Sequence, residues 1–346
     1  MADYLAPLRA DYDGNSPDLK GAPAFAGEGA VVLGRTTLGA AAWLGAWSVI
    51  RADGHYVRIG EDFHLGEHAT VHIAHDIYPT HIGDRVTAGK GAVIHACTLG
   101  DGCVVEREAV ILDGSRIGAG AVISAGSVVF PRSELEGGWL YSGSPAKPVA
   151  RVSPPELEGF HQKIRNAGAK DDPGDHWPQP RLDCFVAPSA RVRGTVSVGE
   201  GVGVWYGCRL DAGAHRIVIG DGTNVQDNSI LSCDAADILV GPDVTIGHNV
   251  TISDCNIGSS SLIGIGSLIA PGTIVESEVL VAAGTHTEPG QRLTAGQVWA
   301  GRPARPIAQM DEHKRKMTAD ILSVYRNYAD SFRASPHRPL TQPAED

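Results

Sequence analysis

"TAGKGAVIHACTLGDGCVVEREAVILDGSRIGAGAVIS", residues 87–124, repeats an aliphatic residue, often followed by glycine, with a step of six. Working outward from it, the series is Ile82, Ala88, Ile94, Leu99, Val105, Ile111, Ile117 and Ile123. A second series runs Val240, Ile246, Ile252, Ile257, Ile263 and Ile269. Each contains one shortened step of five, 94→99 and 252→257, and an irregularity shared at the same place argues for a duplication. A period of six fits neither an amphipathic helix nor an alternating strand. It fits a solenoid of short strands whose coils have three sides. The aliphatic residue then points into a narrow core, the small residue after it allows the corner, and parallel stacking pairs backbone from coil to coil. Residues six apart fall on successive faces, and residues about 18 apart return to one face.

The predicted architecture is therefore an all-β solenoid in two tandem β-helix domains, each followed by an α-helical segment. The expected boundaries are 1–24 for an N-terminal tail, 25–150 for the first β-helix and 151–183 for a helix and linker. The second β-helix takes 184–308, and a C-terminal helix and tail take 309–346. Similar phrases close the two β-helices, "YSGSPAKPVARV" at 141–152 and "WAGRPARPIAQM" at 299–310. Met317, Ile321, Tyr325, Tyr328 and Phe332 recur at helical spacing, which predicts a helix over about 311–333 whose apolar stripe packs on the solenoid. Residues 1–22 and 335–346 read as mobile ends.

Composition narrows the function. The chain is globular, with 42% hydrophobic and 20% charged residues, and 43 glycines and 21 prolines suit many tight turns. A net charge of −11 argues against nucleic acid or an anionic membrane as partner, since both need basic surface. The N-terminus lacks a basic region followed by an apolar run, and no apolar stretch is long enough to span a bilayer. The six cysteines form no C-x-x-C pair. Cys97 and Cys255 hold the same place in the two copies, as buried small residues would. These features predict a cytoplasmic protein with reduced thiols, acting on a small-molecule substrate.

The stretches "IRADGHYVRIG" (50–60), "HLGEHATVHIAH" (64–75) and "TAGKGAVIHAC" (87–97) resemble the γ-class carbonic anhydrases of the hexapeptide-repeat proteins. So do "VWYGCRLDAG" (204–213), "NVQDNSILSC" (224–233) and "TIGHNVTISDC" (245–255) in the second half. The resemblance implies a left-handed β-helix and trimers with metal at the interfaces. One subunit would supply two histidines and its neighbour a third, with Gln and Asn near the metal-bound water. Carried onto this chain, it makes His72 and His95 the ligand pair and His248 the neighbour's ligand. Gln226 and Asn224 become the polar pair, and Arg51 and Asp53 match the family's Arg-Gly-Asp segment. The first half has Lys90 and Gly66 where the third ligand and the Gln belong. The second has Ser232 and Ser253 in place of the pair, and Asp211 and Gly213 at the Arg-Gly-Asp positions.

The face arithmetic sorts these losses. His72 and His95 lie on one face of the first half, Gly66 and Lys90 on another. In the second half Gln226 and His248 share one face, Ser232 and Ser253 the other. Each half keeps everything on one face, and the two kept faces are complementary, so packing them together would complete one three-histidine site. The reverse pairing, Lys90 against the serines, would be silent.

Three histidines and a water make the open tetrahedral arrangement of catalytic zinc, with Fe²⁺ and Co²⁺ as alternatives. Metal lowers the pKa of its water to about 7, and Gln226, steadied by Asn224, would orient the hydroxide. Arg51 and Asp53 read either as an ion pair near the interface or as a structural pair in a turn. His64, His68, His75 and His81 cluster in the first half and read mostly as solvent-facing, with His75 a candidate neighbour of the site. The loop "HDIYPTHIG" (75–83) has no Glu to serve as the proton shuttle found in some members.

The reading is a metal-dependent, carbonic-anhydrase-like lyase or hydrolase using metal hydroxide. Two alternatives stand beside it, a hexapeptide-repeat acyl- or CoA-dependent transferase and a non-catalytic assembly subunit with degenerate sites. Assembly is expected either as a homo-oligomer or as intrachain pairing of the two β-helices.

Overall fold

The computed structural model describes residues 5–167 and 184–340 of the chain, so the part of the expected 151–183 helix and linker from 168 onward lies outside the described residues. The chain divides into two compact units, residues 1–174 with 334–346, and residues 175–333.

Each unit is a left-handed parallel β-helix, the solenoid that the six-residue period predicts with the hand that the resemblance implies. One coil of the first unit passes through His64–Leu65, Thr70–His72 and Thr80–Ile82 before returning to the first face at Thr87–Ala88. Later coils are tighter, with Thr87 opposite Val104 and Val104 opposite Val122. The aliphatic positions of both series are all buried, stacked coil upon coil. That stacking is the main source of stability. A buried Ile cut back to Ala in such a core costs about 2–5 kcal/mol. Coils also approach closely at the corners. A Cβ on Gly39 would lie 2.2 Å from the Gly60 carbonyl oxygen, so glycine is required there by backbone contact.

The phrases that close each β-helix form antiparallel hairpins, Trp139–Ser142 with Lys147–Arg151 and Gln297–Ala300 with Arg305–Gln309. Helix α1 (Pro154–Arg165) follows the first, starting at Ser153, whose backbone N–H donates to Glu156 Oε2 at 2.8 Å. Proline at its first turn costs no intrahelical hydrogen bond. Helix α1 docks on its own β-helix through His161, whose Nδ1 lies 2.8 Å from Thr87 Oγ1, and through Arg165, which forks onto Asp62 at 2.8 and 3.0 Å. Helix α2 (Glu312–Ala334) follows the second hairpin and buries Thr318, Leu322, Tyr325, Tyr328, Ala329 and Phe332. The expected stripe is thus half right. Met317 is exposed and Ile321 only partly covered, because the buried face is rotated toward Thr318 and Leu322.

The chain ends depart from expectation. Leu8–Ala10 adds in parallel to Val31–Leu33, and His337–Pro339 pairs antiparallel with Leu8–Ala10. Leu340 is buried in the first unit's core. Segments read as mobile ends instead extend a sheet, where their backbone groups find partners. No helix among the described residues is long and apolar enough to cross a membrane.

Candidate metal centre

In the first unit the in-register ladder decides which side chains meet. Thr70–His72 pairs with Val93–His95, setting His72 directly opposite His95. Val49–Ile59 pairs with Thr70–His72 on the other side, through Val49↔Thr70 and Ile50↔Val71, and carries Arg51 and Asp53 to the same face. The four side chains join in a row. Arg51 Nη1 forms an ion pair with Asp53 Oδ2, and both residues are fully buried. Asp53 Oδ1 lies 2.8 Å from His72 Nε2. His72 Nδ1 lies 3.2 Å from His95 Nε2, and His95 Nδ1 lies 2.6 Å from Asp113 Oδ1.

Arg51 and Asp53 pair with each other within one strand. The row adds Asp113, which the sequence reading missed. Asp113 sits two residues beyond the aliphatic Ile111, at a corner, and its approach to His95 follows from the ladder Ile94↔Ile111. The signal available in the sequence was the 18-residue separation, one coil away from His95.

The row also tests the fit of a metal. If each carboxylate accepts an imidazole N–H, His72 carries its proton on Nε2 and His95 on Nδ1. The two remaining nitrogens then face one another with their lone pairs, an arrangement that calls for a cation between them. Their separation of 3.2 Å is close to the ~3.3 Å edge of a tetrahedron with zinc–nitrogen bonds of about 2.0–2.1 Å. The donor set suits zinc, and equally Fe²⁺ or Co²⁺.

In the second unit, the strands Asn224–Val225 and Thr245–Ile246 are neighbours, and Gln226 and His248 follow them on one sheet. Gln226 Nε2 donates to Asn224 Oδ1 at 3.1 Å, and Asn224 Nδ2 donates to Thr245 Oγ1 at 3.2 Å. His248 is buried, with Asp227 Oδ2 3.1 Å from its Nδ1 and the Tyr325 hydroxyl 3.2 Å from its Nε2. Asp227 is buried too, and its Oδ1 accepts the Tyr206 backbone N–H at 3.1 Å. Neither Asp227 nor Tyr325 was singled out for chemistry from sequence, and Tyr325 reads there as packing alone. Its hydroxyl, one of two on that helical stripe, was the clue. Where the first unit has its histidine pair, the second has Ser232 and Ser253, their hydroxyls 3.3 Å apart. Asp211, in the place of Arg51, is forked by Arg193 at 2.9 Å.

His72 and His95 of the first unit and His248 of the second are each buried. The other histidines of the first half divide differently from expectation. His64 is buried and stacked on Trp43, ring centroids 4.2 Å apart, while His68, His75 and His81 are partly exposed. Lys90 is exposed. A side chain at Gly66 would place its Cβ 2.6 Å from the backbone of Gly89 and Lys90, so this half has no room for a counterpart of Gln226. Cys97 and Cys255 are buried as expected. Burial pushes both thiols up, Cys255 to about 12, which leaves them unreactive.

No family model matches the chain. Among curated proteins it is 33% identical over 173 residues to the mitochondrial γ carbonic anhydrase 1 of Arabidopsis thaliana, covering 48% of this chain and 63% of that one. It is 32% identical over 174 residues to protein YrdA of Escherichia coli, covering 48% of this chain and 91% of YrdA. For the two plant relatives the match spans only 63% and 53% of their length. Among solved structures, a candidate acetyltransferase from Desulfovibrio desulfuricans G20 superposes over 95% of this chain and 82% of its own, with a TM-score of 0.56 and 13% identity. That likeness speaks for the fold alone.

Proposed function

Because the chain belongs to the hexapeptide-repeat β-helix family of the γ-carbonic-anhydrase-like and YrdA-type proteins, we propose that it is a metal-dependent enzyme adding hydroxide to CO₂ or a related electrophilic carbon. The ligands proposed from the resemblance are His72 and His95, with His248 as the third. The observation that carries the reading is the pair of imidazole nitrogens 3.2 Å apart, each ring with a carboxylate oxygen at its other nitrogen. When bound, the ion lowers the pKa of its water so that hydroxide is available near neutral pH.

The chain's own residues do the rest. Arg51 pairs with Asp53, and Asp53 in turn holds the His72 ring in one orientation. Asn224 engages the Gln226 amide nitrogen, which fixes the amide's orientation and leaves Oε1 to accept a hydrogen bond from the attacking oxygen. Asp227 Oδ2 lies 3.1 Å from His248 Nδ1, and the Tyr325 hydroxyl touches Nε2, the atom proposed as ligand. Zinc is the expected ion, and iron or cobalt would suit the same donors.

A second reading, acyl transfer, draws on the His95–Asp113 dyad, which is also the arrangement of a general base with its orienting carboxylate. One set of measurements separates the two. Protein purified without chelators is expected to carry one metal ion per chain, and His95→Ala and His248→Ala are each expected to lose both the ion and CO₂ hydration. Oligomer mass beside the metal count tells whether one chain or two supply the ligands. Hydration that survives both substitutions would sink the metal reading. Thermal protection by acyl-CoA in metal-stripped protein would support acyl transfer instead.

A further inference from the structure

We propose that Asp113 is a positioning residue that selects the nitrogen His95 presents, so that the pair offers Nε2 from His95 and Nδ1 from His72. The proposal rests on the metal reading above and deepens it. A histidine that donates one ring N–H to a carboxylate is fixed in tautomer and made a better ligand through its other nitrogen. The 2.6 Å approach of Asp113 Oδ1 to His95 Nδ1 is such a contact, and Asp53 makes its mirror image at the Nε2 of His72. The two rings are therefore held by opposite nitrogens, and the atoms left over are those that face each other.

A comparison within the chain supports this independently. The ladders Ile94↔Ile111 and Ile252↔Ile269 make Pro271 the second unit's counterpart of Asp113. Gly213 likewise stands where Asp53 does. Both carboxylates are missing from the half in which serines replace both histidines. A carboxylate needed only for the corner would have no reason to disappear with the ring it touches.

The two carboxylates differ in what their removal would do. Asp53 is fully buried against buried Arg51, so its loss would take a carboxylate from a buried charge and threaten the fold. The Asp113 side chain is 40% exposed, so it can be replaced without that penalty. The test uses the full chain with ¹⁵N-labelled histidine, metal-free, with His95 assigned by comparison with His95→Gln. Wild-type protein is expected to show His95 protonated on Nδ1. Asp113→Ala is expected to shift the ring toward the Nε2–H form and to weaken zinc binding, read by chelator competition, about 10- to 100-fold. Asp113→Asn, whose amide oxygen still accepts, is expected to fall between. An unchanged tautomer with zinc affinity within twofold of wild type in Asp113→Ala would overturn the proposal. Wild-type protein that binds no zinc would overturn the metal reading instead, while the metal-free tautomer still decides the role of Asp113.

Discussion

His64 shows how a single side chain can tie stability to pH. Burial, and then the charge of Arg165, hold its pKa down at about 4, against an ordinary 6.5. Between those two values the unfolded chain takes up a proton that the folded chain refuses. Stability is thus complete above pH 6.5 and is lost as pH falls toward 4, by up to about 3 kcal/mol for this residue. His64→Phe, which keeps a ring stacked on Trp43, is expected to flatten the pH dependence by up to one proton's worth in urea unfolding between pH 4.5 and 7. An unchanged slope would move the effect to His161 or His337, which burial also lowers. Gly66 makes a second case at this scale. Gly66→Gln copies Gln226 on paper, yet its Cβ would press on the neighbouring coil's backbone. It is expected to lower the melting temperature, and a neutral result in thermal unfolding would refute the steric account.

At the scale of elements, the strands were legible and their ligands only partly so. The repeating aliphatic residues announce each strand because a narrow three-sided core admits nothing else, and all of them are buried. His72 and His95 could be placed on one face by counting, since the register obeys the period. Asp113, Asp227 and Tyr325 could not, for three different reasons. Asp113 is a corner residue outside the aliphatic pattern, and Asp227 is the residue after Gln226 whose carboxylate turns toward a neighbouring coil. Tyr325 arrives from a helix 77 residues away in sequence. That helix is part of the site's packing, because Tyr325 and Tyr328 stand edge-on to the buried Trp205. Tyr325→Phe keeps the packing and removes the hydroxyl from His248. It is expected to leave the melting temperature within a few degrees while changing metal affinity, and equal affinity would assign Tyr325 to packing alone.

At the scale of the molecule, the C-terminal strand is the unexpected element. His337–Pro339 and Leu340 belong to the first unit although they follow the second in sequence. Deleting residues 335–346 strips Leu8–Ala10 of one partner and Leu340 from the core. It is expected to destabilise the first unit by about 2–5 kcal/mol in denaturant unfolding, the range for a lost buried Leu. An unaltered first transition would show that the strand only decorates the sheet. The same pairing brings residues near the two ends of the chain side by side, Leu8 opposite Pro339. A circular permutant joining residue 346 to residue 1 and cut between 174 and 175 would make each unit contiguous and exchange their order in translation. Every strand pair described above would survive the exchange.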